Sequence, residues 1–153
     1  MNNKFIPLLI LGLFAGAYFV GQWLQSHNGQ TEMVQKHMRY DSCNPATTNC
    51  VAFIGQHKLV ISFSSSPSAL QPFQVRLQGE NIRPDSVSVE FAMRGMDMGM
   101  NRYALKPVSE VVWGSEVILP VCSLGRHDWE SRFEVVYQGA RWLAIFNFEQ
   151  ASN

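Results

Sequence analysis

The chain opens on one long apolar run and then breaks into short alternating stretches. Residues 5–24 read FIPLLILGLFAGAYFVGQWL, with no charged side chain and Gln22 as the single amide. Twenty residues at about 1.5 Å each span about 30 Å, the hydrocarbon thickness of a bilayer, so the run predicts a transmembrane helix. Pro7 falls in the first turn, where its missing N–H costs little. Tyr18 and Trp23 stand toward the far end, where amphipathic rings favour headgroups. Lys4 and the amino terminus carry positive charge on the short side, a bias toward an N-inside orientation that places the rest of the chain on the non-cytoplasmic side. Ala15-Gly16-Ala17 has the small-x-small form of a signal-peptide cleavage site, the competing reading. The apolar run continues past Ala17, which suits an uncleaved anchor, and both readings export the remainder of the chain. Gly12 and Gly16 form a G-x-x-x-G pair that lets two such helices approach closely, so a homodimer through them is one expectation.

Residues 26–50 read as a polar linker. Within it, 32–40 carries a short helical pattern behind Thr31 as a cap. Met33, His37 and Met38 would share one face of that helix, as a small packing stripe or as soft-metal contacts. From 51 to 150 the pattern changes to strands separated by Gly, Pro and Ser. Extended runs are predicted at 51–54, 58–64, 73–77, 86–93, 102–105, 110–113, 116–121, 132–137 and 142–148. Val87, Val89, Phe91 and Met93 alternate with Ser88, Glu90 and Ala92, the two-residue period of a half-buried strand. Phe133, Val135 and Tyr137 repeat it, and Gln138-Gly139 reads as a tight hairpin turn. The fold expected is mainly β: an anchor over 1–25, the linker, and one immunoglobulin-like antiparallel β-sandwich over 51–150.

Composition narrows the functional classes. Of 153 residues only 16% are charged, and Lys+Arg equal Asp+Glu at 12 each. With no basic run, the electrostatic footprint of a nucleic-acid binder is missing. No G-x-S-x-G, H-E-x-x-H or phosphate-binding loop is present, so no enzyme class is indicated. Cys43 and Cys50 bracket a polar, turn-forming hexapeptide. In an exported domain they read most simply as a disulfide, with metal binding or redox cycling as alternatives. Cys122 is then an odd thiol.

The candidate chemistry is soft. Four of the seven methionines fall at Met93, Met96, Met98 and Met100, interrupted by Arg94, Asp97, Gly95 and Gly99. A loop of this kind can converge several thioethers on one ion, and thioether or thiolate sulfur favours Cu(I). Methionine also fills core gaps or makes adaptable binding surfaces, and that reading stands beside the first. A second patch, residues 120–129, offers Cys122 and His127 in a loop between predicted strands. Loops at one end of a sandwich often meet, so both patches can form one site.

The anchor, the β domain and the segments G-M-D-M-G-x-N-R (95–102) and P-V-C-x-x-G-R-x-x-W (120–129) resemble the FixH/YtkA-like group of small bacterial membrane-anchored proteins. The two short segments are the most specific part of that likeness. The resemblance implies an inner-membrane protein with a periplasmic domain, near copper supply or assembly of haem–copper respiratory oxidases. It carries Met96, Met98, Cys122 and His127 as matching positions; Met93 and Met100 are added on softness and proximity. The chain lacks the C-x-x-x-C copper pair of Sco-type proteins. The leading expectation is therefore a periplasm-facing copper-binding accessory protein whose partners are the lipid bilayer and a respiratory oxidase or other inner-membrane complex. The alternative is a metal-free, membrane-anchored interaction module.

Overall fold

The computed structural model describes Tyr18, Gln22, residues 35–96 and residues 98–151. The chain divides into two compact units, Met1–Met33 and Val34–Asn153. In the first, Tyr18 and Gln22 are helical, and Gln22 Nε2 donates to the Tyr18 hydroxyl at 3.0 Å. Otherwise the apolar run 5–24, with Gly12, Gly16 and Ala15-Gly16-Ala17, lies outside the described residues, as do Met33 and Asp97. Among the described residues no helix is long and apolar enough to cross a membrane.

The second unit is mainly β, as the alternating pattern predicts. Its strands are β1 (Gln35–Tyr40), β2 (Cys50–Ile54), β3 (His57–Phe63), β4 (Pro72–Gly79), β5 (Ser86–Ala92), β6 (Arg102–Ala104), β7 (Lys106–Pro107), β8 (Val112–Ile118), β9 (Asp128–Tyr137) and β10 (Ala140–Glu149). They form two five-stranded sheets, ordered β1-β10-β9-β5-β6 and β2-β3-β4-β8-β7. Strict alternation of buried and exposed residues along β4 shows why: one face of the strand is apolar and needs a partner. The inner faces meet on aromatic rings. Phe63 of β3 lies 6.1 Å from Phe91 of β5 and 5.4 Å from Phe148 of β10, and Phe73 of β4 lies 5.9 Å from Phe91. Gln138 and Gly139 both hold positive φ, the primed turn whose twist matches a hairpin.

Three expectations change. Residues 35–40 form a strand rather than part of a helix. β1 pairs in parallel with β10, which makes that sheet mixed rather than purely antiparallel. Its weak helical period loses to an open strand edge and to specific packing: Tyr40 stacks on Phe146 at 5.0 Å, and Lys36 lies 4.5 Å over the Trp142 ring. His37 and Met38 are consecutive on this strand and so point to opposite faces, not to one. The linker's second half thus belongs to the β unit. The runs 110–113 and 116–121 merge into β8, because Gly114 continues the ladder opposite Arg76 instead of breaking it.

Cys43 and Cys50 are joined in a disulfide with a Cα–Cα separation of 5.7 Å. It links the end of β1 to the start of β2, and so one sheet to the other. The Tyr40 hydroxyl, accepting from Phe53 N at 3.2 Å, reinforces the same junction.

Candidate soft-metal site

The methionine segment is the loop between β5 and β6. The strand ends at Ala92, Met93 stays in the core at 1% exposure, and the chain turns at once. Met96 N donates to Met93 O at 3.1 Å, and Gly95 at φ +73° supplies the left-handed step that closes the turn. The loop returns through Asn101, whose carbonyl accepts from Phe91 N at 2.9 Å. Asn101 itself is buried, and its Nδ2 has no hydrogen-bond partner among the described residues.

The second segment follows β8, which ends at Ile118, and crosses to the other sheet at β9. Gly125, at φ +65°, donates to the Cys122 carbonyl at 3.1 Å and folds the loop back. The free thiol Cys122 is half-buried, and its Sγ lies 4.0 Å from Met96 Sδ. Met96, Met98 and Cys122 all pack against the edge of the core. The two patches therefore do meet, on sulfur. A polar link reinforces them: Arg126 Nη1 donates to the Arg94 carbonyl at 3.1 Å.

The six candidate positions separate clearly. Met96 and Cys122 are in contact, with Met98 half-buried in the same loop. Met93 serves the core, and Met100 stands fully in solvent at 104%. Among the described residues the exposed His127 ring has no hydrogen-bond partner; its backbone carbonyl accepts from Gln150 N at 2.9 Å and pins the loop. Among the described residues no three of His, Cys, Asp or Glu converge as a metal-ligating group. Any ion held here would rest mainly on sulfur.

An unforeseen feature lies beside the sulfurs. Glu130 on β9 is buried, with its side chain 4% exposed, on the outer face of its sheet. Its Oε1 accepts from Arg39 Nη1 at 2.9 Å and from Arg94 Nε at 3.3 Å; its Oε2 accepts from Arg132 Nη2 at 3.2 Å. Burial pushes this carboxyl up, but hydrogen bonds from Arg39 and Arg132 outweigh it, holding the group below its ordinary value. Next to it, Arg126 Nε donates to Asp128 Oδ1 at 2.8 Å and holds that carboxyl down as well. The hydrogen bond to Asp128 in turn raises Arg126. An open cavity of about 400 Å³ adjoins the cluster, walled by Arg94, Asp128, Glu130 and Glu149 with Asn44 from the disulfide loop. Sequence reasoning missed this cluster. The only local signal is Glu130 and Arg132 two residues apart on one strand face.

The fold and site define a class: a disulfide-linked, two-sheet β domain with a thiol–thioether contact at one end. No family model matches the chain, and no curated protein matches it. Among solved structures it is similar to a crystal structure of an engineered protein, at 15% identity and a TM-score of 0.47. That match covers 70% of this chain and 21% of the other, so the chain spans about a fifth of that protein's length. A likeness at this level says nothing about what the chain does.

Proposed function

We propose that this chain is a copper-binding accessory protein, held in a bacterial inner membrane by residues 5–24 with an immunoglobulin-like sandwich facing the periplasm. Its role would be supply or assembly at a respiratory oxidase, as the FixH/YtkA-like resemblance implies. The observation that carries the copper reading is the 4.0 Å contact between Cys122 Sγ and Met96 Sδ. Two sulfurs, each about 2.3 Å from one first-row ion at a trigonal angle, stand about 4.0 Å apart. One thiolate and one or two thioethers form a donor set for Cu(I), with Met98 the nearest further sulfur in sequence. Met100 is an outer thioether that hands an ion to or from the pair.

Titration of the full chain in detergent, with ascorbate keeping copper monovalent, tests this. Wild type takes up one Cu(I) per chain, Cys122→Ser abolishes tight binding, and Met96→Leu weakens it. Equal binding by all three sinks the reading. A second reading, the metal-free interaction module, draws on the exposed apolar side chains of Met100, Leu124, Leu70 and Val121. Under it, a co-purifying partner stays bound after copper chelation and is released by Leu124→Asp.

A further inference from the structure

Arg94 stands where both sulfur-bearing loops meet the sheet. Its side chain reaches down, Nε donating to Glu130 Oε1 at 3.3 Å. Its carbonyl faces the other loop and accepts from Arg126 Nη1 at 3.1 Å. Arg126 lies four residues beyond Cys122 and is itself oriented by Asp128. One residue after Arg94, Gly95 makes its left-handed turn, and the next side chain is Met96, in contact with Cys122. The direction in which Met96 leaves the turn is therefore set by where Arg94 is held. A short chain of polar bonds, Glu130 to Arg94 to Arg126 to Asp128, spans the base of both loops.

We propose that Arg94 is the positioning residue of the sulfur site, holding Met96 and Cys122 at the spacing a soft monovalent cation needs. The ligand rests on the copper reading above; the positioning itself does not. The physical reason is preorganisation. Both loops bend at glycines and carry few backbone bonds, so without a fixed Arg94 each sulfur samples positions in which the other is out of reach. Partners that orient metal ligands from behind typically contribute about 10–100-fold in affinity.

Arg39 provides the control. It donates to the same Glu130 oxygen, at 2.9 Å, but from β1 and, among the described residues, without a hydrogen bond to either loop. Loss of Arg39 thus weakens the same buried carboxylate network and leaves in place the Arg94 Nε–Glu130 bond, which anchors the methionine loop.

The experiment compares wild type, Arg94→Met, Arg94→Lys and Arg39→Met as full chains in detergent with the disulfide intact. Two quantities are read: Cu(I) affinity, by competition against a chromophoric Cu(I) chelator under ascorbate, and the copper-free rate of Cys122 alkylation by a maleimide. Arg94→Met weakens Cu(I) about tenfold or more and speeds alkylation severalfold. Arg94→Lys recovers part of both, while Arg39→Met leaves both at wild-type values and lowers only the thermal midpoint. Identical effects of Arg94→Met and Arg39→Met, or none from Arg94→Met, overturn the proposal. If wild type takes up no Cu(I), the copper reading fails. The alkylation rates then decide alone: a difference between the two variants sustains the positioning role, and equal rates overturn it.

Discussion

Replacing Glu130 by Gln should destabilise the β unit strongly at neutral pH and hardly at all in acid. The amide oxygen of the substituted side chain can still accept from Arg39 and Arg94, but its NH2 group then faces Arg132 Nη2, donor against donor. Hydrogen bonds to a charged group contribute about 1.5–3 kcal/mol each. Loss of the charge weakens two of these bonds and breaks the third, and the arginine side chains, 38%, 69% and 34% exposed, are screened by solvent, so about half of the summed contribution, about 2–4 kcal/mol, is lost. For a unit of about 120 residues, at about 4 °C per kcal/mol, the midpoint falls by about 8–16 °C. The pH dependence has a definite sign. The folded Glu130 carboxyl titrates below its ordinary value. Its stabilisation is therefore fully present above the unfolded value of about 4.3 and is lost as pH falls through the lower, folded value. Thermal unfolding followed by far-UV circular dichroism, at pH 7 and at about pH 3, measures both effects. Equal midpoints at pH 7, or a gap that fails to narrow in acid, would refute the reasoning.

The packing leads to two more expected outcomes. Opening the disulfide by the double substitution Cys43→Ala/Cys50→Ala frees a short loop and should cost about 2.5 kcal/mol on chain-entropy grounds. A thiol reductant should bring the wild-type midpoint toward that of the variant, which itself should not respond; a wild type indifferent to reductant contradicts the assignment. Phe91→Ala removes a ring 1% exposed that touches Phe63 and Phe73 of one sheet and Phe148 of the other, and should cost about 3–5 kcal/mol in denaturant unfolding. A loss below about 1 kcal/mol would mean that the two sheets do not share this core.

How far the chain is legible depends on the distance over which each feature is decided. Val87–Val89–Phe91 announces β5 because a half-buried strand writes its period locally. β9 is read only from Arg132, although it begins at Asp128: Asp128 and Glu130 look like loop residues until their arginine partners are known. For Glu130 those partners lie 91 and 36 positions away at Arg39 and Arg94, beyond any local pattern. β1 fails for the same reason, since its ladder partner is over a hundred residues distant and its own composition is neutral between helix and strand. In the site, softness singles out the two segments that meet. It cannot sort Met93, Met96 and Met100 into core, contact and solvent, because the turn at Gly95 makes that choice.

The topology adds a constraint on how the sulfurs can work. β1 begins at Gln35 opposite Arg141, beside the Gln138–Gly139 hairpin, so the polypeptide enters the β unit at that end. β10 then runs ten residues, about 30 Å, to Glu149, which pairs with Asp128. The methionine loop comes after Ala92, itself paired with Glu130, and the Cys122 loop leads into Asp128. Both sulfur-bearing loops thus lie at the end opposite the point where the chain enters. On the copper reading, a donor or acceptor would approach at this end, where Met100, Val121 and Leu124 of the two loops are exposed, and not at the hairpin end. Glu130 is buried and bonded to Arg94, whereas Leu124 is exposed on the Cys122 loop, so the two can be perturbed separately. Changes at Arg94 should alter how tightly an ion is held, whereas changes at Leu124 should alter only how fast a partner exchanges it.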